Sequence, residues 1–212
     1  RLCQLALEMN LKPGIASTGY GRQGTDTYIV NGDSDTRVCG DEPVLLAQRT
    51  GVPVVVAADR LEAVKKLNEM DLDLVFSDDG LQTAGMCRDI EFCVVDGERG
   101  LGNGHLLPAG PLRQPLSIAL KNLDALLVIG EPSHASLAPV VKSVEAMGKA
   151  IFKGEIKPQS PKPKKSAARV HAFCGIAKPE KFIASLQGHG YEVAQISNFG
   201  DHHAFTEAEA FS

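Results

Sequence analysis

No run of eighteen apolar residues occurs anywhere in the chain, and no basic segment followed by an apolar one opens it, so neither a transmembrane helix nor a secretory leader is expected from these residues. A basic excess is also missing. The formal net charge is -4, which argues against nucleic acid as a partner, because such binding normally shows as a basic patch or stripe. The five cysteines are odd in number and none forms a C-x-x-C pair, so reduced thiols in a reducing compartment are expected, with Cys93 in an apolar run as a core residue. Gly-x-Ser-x-Gly is absent, and no further His or Cys stands at zinc-ligand spacing from Asp201-His202-His203. Acyl transfer and a mononuclear zinc centre are therefore disfavoured. No repeat of solenoid period is visible.

What is present is 212 residues with 43% hydrophobic content, enough for one large or two small packed domains. Leu2, Leu5, Ala6 and Met9 fall at helical spacing and lead to a short strand, Gly14 to Ser17. Thr18 to Asp35 is rich in Gly, Thr and Asp and reads as a long loop, solvated or functional. Pro43 suits the first turn of the next helix, which places Asp41 and Glu42 at its N-terminus, a position where acids often serve only the helix dipole. Val52 to Ala57 is a β-branched strand, and Asp59 with Glu62 resembles a cap for a helix from Arg60 to Met70. Strands follow at Leu74 to Phe76, Ile90 to Val95 and Ala125 to Ile129, the last after a helix from about Pro115 to Leu123. This alternation predicts an α/β fold with a mostly parallel sheet and helices on both faces.

Lys157 to Lys165 carries three prolines and four lysines and reads as an exposed linker, so the predicted domains are 1–154, a linker at 155–168, and 169–212 as the start of a smaller second α/β domain. In that second part Arg169 to Phe173 and Tyr191 to Ile196 read as strands around a helix opened by Pro179. Thr206 with Glu209 forms a capping-box pattern. The chain opens at Arg1 inside a helical pattern and stops just after that helix-start signal. It is therefore expected to be an internal fragment with sequence missing at both ends.

The stretch most suggestive of chemistry runs from Leu72 to Arg113. Leu74 to Phe76 and Phe92 to Val95 are apolar runs that end on acids and then on glycine, the pattern of buried parallel strands delivering carboxylates to a ligand-binding sheet edge. Asp78-Asp79 could hold magnesium directly or through water, or could merely cap a turn. Five glycines lie between Gly97 and Gly110, where backbone can approach a ligand or simply turn. Asp41, Asp201, His202 and His203 are available to orient or deprotonate a hydroxyl. A metal-dependent hydrolase using Asp78, Asp79, His202 and His203 is a rival reading.

Several blocks together resemble one family, the tetraacyldisaccharide 4'-kinases of lipid A biosynthesis. They are Ser17-Thr-Gly-Tyr-Gly21, Gly40-Asp-Glu-Pro-Val-Leu45, Ser77-Asp-Asp-Gly-Leu-Gln82 and Val94-Val-Asp-Gly-Glu-Arg-Gly100. Gly102-Asn-Gly-His-Leu-Leu-Pro-Ala-Gly-Pro-Leu-Arg113 and Asp201-His202 complete the set in the same order. The resemblance implies a P-loop-kinase-like fold and transfer of the γ-phosphate of ATP, with magnesium, to the 4' hydroxyl of a tetraacylated glucosamine disaccharide 1-phosphate. It implies Asp41 as base with His202 as its partner. Asp78, Asp79, Gly80 and Arg113 would serve the nucleotide, with Asp78 and Asp79 on magnesium, and Glu42, Gln82 and Asn103 would serve the lipid A disaccharide precursor. A peripheral position on the cytoplasmic face of the inner membrane is implied through an N-terminal segment outside this sequence.

The resemblance departs at three positions: Thr18 stands for the family's Arg, Thr83 for its His and Gln114 for its Glu. The family's Gly-rich phosphate loop, with its Lys and Ser/Thr, has no counterpart in these residues, so this stretch alone is expected to bind ATP weakly and not to turn over. The three substitutions motivate the alternative of a non-catalytic nucleotide or sugar-phosphate binding protein of the same fold.

Overall fold

The computed structural model describes residues 1–157, 168–176, 178–201, 203, 205, 206 and 209. The chain divides into two units, Arg1–Ile156 and Lys157–Ser212. A short helix, α1 (Leu2–Glu8), buries Cys3 and Ala6 and leads into β1 (Pro13–Ser17), all of whose residues are buried. Next come β2 (Tyr28–Val30), the single-turn α2 (Thr36–Cys39), α3 (Asp41–Thr50), β3 (Val54–Val56), α4 (Arg60–Asn68) and β4 (Leu74–Ser77). The sheet order is β2-β3-β1-β4, with β1 parallel to both β3 and β4 and β2 antiparallel on the β3 edge.

Strand periodicity sorts the first core. Ile15, Val54 and Val56 pack with Cys3, Val44 and Ala47 on the face covered by α1 and α3. Ala16 and Val55 point the other way and pack with Ala63 and Leu67 of α4. Burial on both faces is what parallel strands require, and it explains the unbroken Val-Val-Val of β3. The expected cap on α4 forms, since the Asp59 carboxylate accepts from the Leu61 N–H at 2.9 Å. Glu62 turns instead to Lys65 at 2.7 Å.

A second sheet is built from β5 (Phe92–Asp96), α5 (Leu116–Asn122), β6 (Ala125–Ile129), α6 (Leu137–Ala146) and β7 (Ala150–Gly154), in the order β5-β6-β7 and parallel throughout. Its core joins Val95, Leu126 and Val128 to Leu120 of α5 and to Leu137, Val140 and Val144 of α6. The result is a mixed α/β architecture with mostly parallel sheets.

Four expectations are corrected. Residues 18–35 are not all loop, because Tyr28–Val30 pairs with β3; three residues with only Val30 buried give no period to read. One continuous sheet becomes two among the described residues, with β4 and β5 at the edges of different sheets. As edge strands, neither is fully buried, and Val94 is 58% exposed. Ile90 lies outside β5 and is exposed. α6 and β7 had no sequence-based expectation at all.

The second unit contains β8 (Ala168–Cys174), α7 (Pro179–Gly188) and β9 (Tyr191–Asn198), a parallel pair joined through a helix that Pro179 opens. Thr206 and Glu209 satisfy each other reciprocally, with the Thr206 N–H donating to the carboxylate at 2.8 Å and the Glu209 N–H to the Thr206 hydroxyl at 3.3 Å. Residues 158–167, where the linker is expected, lie outside the described residues.

Leu67 is fully buried between α4 and β1. Leu67→Ala is expected to cost about 2–5 kcal/mol in a urea titration, whereas Leu5→Ala, on the exposed side of α1, should stay within about 0.5 kcal/mol of the parent.

Candidate functional site

Because β1, β3 and β4 run parallel, their C-terminal ends emerge on one side of the first sheet. A cavity of about 240 Å³ opens there, lined by Ser17, Thr18 and Tyr20 after β1, Asp78 and Asp79 after β4, Glu42 from α3, Arg60 from α4, and Arg113. A second cavity of about 480 Å³ shares Thr18, Arg60, Asp79 and Arg113 and adds Gln82, Thr83 and Leu107. The shared residues make them two lobes of one cleft.

The walls are brought together by close backbone approach. Gly19 and Gly40 both have positive φ, at 64° and 88°. A Cβ on Gly19 would sit 2.5 Å from the Cys39 carbonyl oxygen, and one on Gly40 would sit 3.0 Å from Gly19 Cα. Only two glycines let the Ser17-Thr-Gly-Tyr-Gly21 loop lie against the entry of α3. Arg22 fastens the same loop, its Nε donating to the Thr18 carbonyl at 3.1 Å.

The Asp78 N–H donates to the Ala16 carbonyl at 3.0 Å, carrying the β4–β1 pairing one step past the strand. Asp79 then turns back at φ 52°, a left-handed conformation that Asp tolerates. A Cβ on Gly80 would come within 2.2 Å of the Ser77 hydroxyl, so this tight reversal excludes a side chain there. The Asp79 carboxylate pairs with Arg113 at 2.6 Å; both groups are more than half exposed, so the pair orients the cleft more than it stabilises the fold. The Asp78 residue keeps an open edge, yet crowding around its carboxyl pushes its pKa up. Desolvation is the largest cause and the neighbouring Asp79 charge the next, while Arg60 pulls in the opposite direction.

Of the residues singled out in the sequence, Glu42, Asp78, Asp79 and Arg113 line the first lobe, Gln82 lines the second, and Gly80 forms the turn between Asp79 and Gln82. Asp41 is the first residue of α3, exposed, with its carboxylate accepting from the Glu42 N–H at 2.9 Å; it is not in either lining. Asn103 braces the glycine-rich loop, donating to the Ala109 carbonyl at 2.8 Å and accepting from the His105 N–H at 3.1 Å. His202 lies outside the described residues. Its neighbour His203 stacks on Phe199 at 4.7 Å and meets Glu209 at 3.2 Å. Among the described residues, no group of three or more His, Cys, Asp or Glu is arranged to hold a metal ion.

Sequence reasoning missed Arg60, Tyr20 and a lining role for Thr83. Arg60 carried a usable signal, since it opens a helix directly after a buried parallel strand, where α/β folds gather ligand contacts.

These features define an α/β protein with a charged cleft beyond the C-terminal ends of parallel strands. The family described as tetraacyldisaccharide-1-P 4'-kinase matches residues 1–211, and the chain belongs to that family. It is 42% identical over 201 residues to the tetraacyldisaccharide 4'-kinase of Aeromonas salmonicida, covering 93% of this chain and 58% of that protein. It is 40% identical to the Brucella anthropi enzyme of the same name, covering 92% of this chain and 56% of the relative. The chain thus spans less than two thirds of these relatives' length. A crystal structure of LpxK from Aquifex aeolicus, an "apo" form in complex with ATP, superimposes with a TM-score of 0.72 at 27% identity, covering 98% of this chain and 70% of that one.

A raised pKa means that the folded chain holds the Asp78 proton more tightly than the unfolded chain does. Stability linked to this group is therefore greatest below the ordinary value of 3.8 and falls as pH rises from there through the raised value. Asp78→Asn, which cannot ionise, is expected to melt above the parent at neutral pH and to lose that advantage near pH 3. A thermal-melt difference that does not vary with pH would contradict the crowding of this carboxyl.

Proposed function

We propose that the protein to which this chain belongs transfers the γ-phosphoryl group of ATP to the 4' hydroxyl of a tetraacylated glucosamine disaccharide 1-phosphate, a step of lipid A biosynthesis. The observation that carries this reading is the cleft of Asp78, Asp79, Arg60 and Arg113 beyond β1 and β4, in a chain of this family. The fold is read as P-loop-kinase-like, with 1–154 as the kinase domain and 169–212 as part of a smaller α/β domain.

Phosphoryl transfer depends on alignment and charge neutralisation more than on covalent chemistry by the protein. The acceptor hydroxyl oxygen attacks the γ-phosphorus, the bond to the β,γ-bridging oxygen breaks, ADP leaves, and the hydroxyl proton passes to the Asp41 carboxylate. His202 is the assigned partner of that base. Asp41 is exposed at the entry of α3. Glu42 and Gln82 contribute to the two lobes and are assigned to the sugar. Asn103 shapes the loop that precedes Arg113 and is assigned a supporting role toward the same substrate.

Asp78 and Asp79 are the residues that would hold magnesium. The donor set fits that ion, which takes one or two carboxylates and fills its remaining positions with phosphate oxygens and water. Bound there, magnesium would offset phosphate charge; the chain's own part is to present the carboxylates at the strand end and to aim Arg113 through Asp79. A peripheral site on the inner membrane's cytoplasmic face is part of the proposal; among the described residues no helix is long and apolar enough to cross a membrane.

In the full-length protein, Asp41→Ala is expected to lower kcat by about 10²–10⁴ with the KM for ATP little changed. Undiminished kcat would remove Asp41 as the base. A full-length parent that binds ATP without any turnover would instead favour the non-catalytic binding protein that the Thr18, Thr83 and Gln114 substitutions suggest.

A further inference from the structure

Arg60 is the cation of the cleft without an acid. Arg113 has Asp79 at 2.6 Å, whereas no carboxylate among the described residues lies within ion-pair distance of Arg60. Arg60 nonetheless lines both lobes. Its Nε is buried and lacks a hydrogen-bond partner among the described residues. A partly buried guanidinium with an idle donor and no carboxylate within ion-pair distance is costly to maintain, and an anionic ligand would reduce that cost.

One contact sets its direction. The Arg60 Nη1 donates to the Thr83 hydroxyl at 2.8 Å. Thr83 is itself held through its backbone, its N–H donating to the Gly80 carbonyl at 3.0 Å and its carbonyl accepting from the Arg88 Nη1 at 3.0 Å. Arg88 is anchored in turn by Glu91 at 2.5 Å in a largely buried pair. The Thr83 backbone is therefore held, and Arg60, bonded to its hydroxyl, lines both lobes beside Asp79 and the first beside Asp78.

We propose that Arg60 binds a phosphate oxygen in this cleft and that Thr83, standing where the family pattern has a histidine, is the positioning residue that holds Arg60 for it. This rests on the reading that the cleft takes phosphate. The phosphate belongs either to the nucleotide or to the sugar 1-phosphate. The two are separable by experiment.

The test uses the full-length protein with Arg60→Gln, Arg60→Lys, Thr83→Val and Thr83→Ser. Equilibrium affinities for ATP and for the disaccharide 1-phosphate and steady-state constants would be measured. Arg60→Gln should weaken one of the two ligands about tenfold or more, and Thr83→Val should weaken the same ligand by about three- to tenfold. Thr83→Ser should recover the parent value to within about twofold, since it restores the acceptor. Loss of ATP affinity assigns the nucleotide phosphate; loss of acceptor affinity assigns the sugar phosphate.

Should Arg60→Gln fail to fold, Arg60→Lys and the threonine pair still decide the matter, because lysine keeps the charge and loses the fork. Parent-like affinity for both ligands in Arg60→Gln, or a Thr83→Val indistinguishable from the parent, would overturn the proposal. Failure of the kinase reading is distinguishable, since it appears as a parent without turnover while the phosphate-affinity comparison still stands.

Discussion

Everything at the candidate site depends on β1 being paired in parallel on both sides. With β3 on one edge and β4 on the other, and both faces of the strand buried, the chain leaves all three strands in the same direction. A parallel ladder can close only through crossovers, so α3 and α4 must return over the faces and deliver their N-termini to that same edge. Glu42 and Arg60 reach the cleft for this reason, and Asp78-Asp79 reach it because β4 ends one residue earlier.

The charge pattern of the cleft follows from that arrangement. Two adjacent carboxylates and two arginines share a small volume, but they are not matched one to one. Asp79 takes Arg113, leaving Asp78 crowded and Arg60 tied only to a hydroxyl. The arrangement leaves one acid able to face a cation and one cation able to face an anion.

Much of the architecture was legible in the residues. The Val52 to Ala57 run, the Asp59 cap and the Pro179 helix start all appear where physical chemistry places them, because each is a local rule acting over a few residues. β2 was not legible, since an edge strand with one buried residue has no period. The split into two sheets was hidden as well, because apolar runs such as Leu74–Ser77 and Phe92–Asp96 state that strands form and not which neighbours they take. α6 carries a clear apolar face, Leu137, Val140 and Val144, at helical spacing, and could have been read.

By itself the sequence determined which short blocks bear the chemistry, since the glycines, the Asp-Asp pair and the Pro-Leu-Arg run are each constrained by local turn geometry and charge. Only the tertiary structure decided which of them meet. Arg60 and Thr83 are far apart in sequence and share no motif, yet the crossover from β3 through α4 to β4 sets a guanidinium against a hydroxyl at 2.8 Å. Asn103 lies within a motif block, but its side chain is spent within its own loop. Motif membership reports a local constraint, and a binding surface exists only where the sheet's parallel order gathers those constraints at one edge.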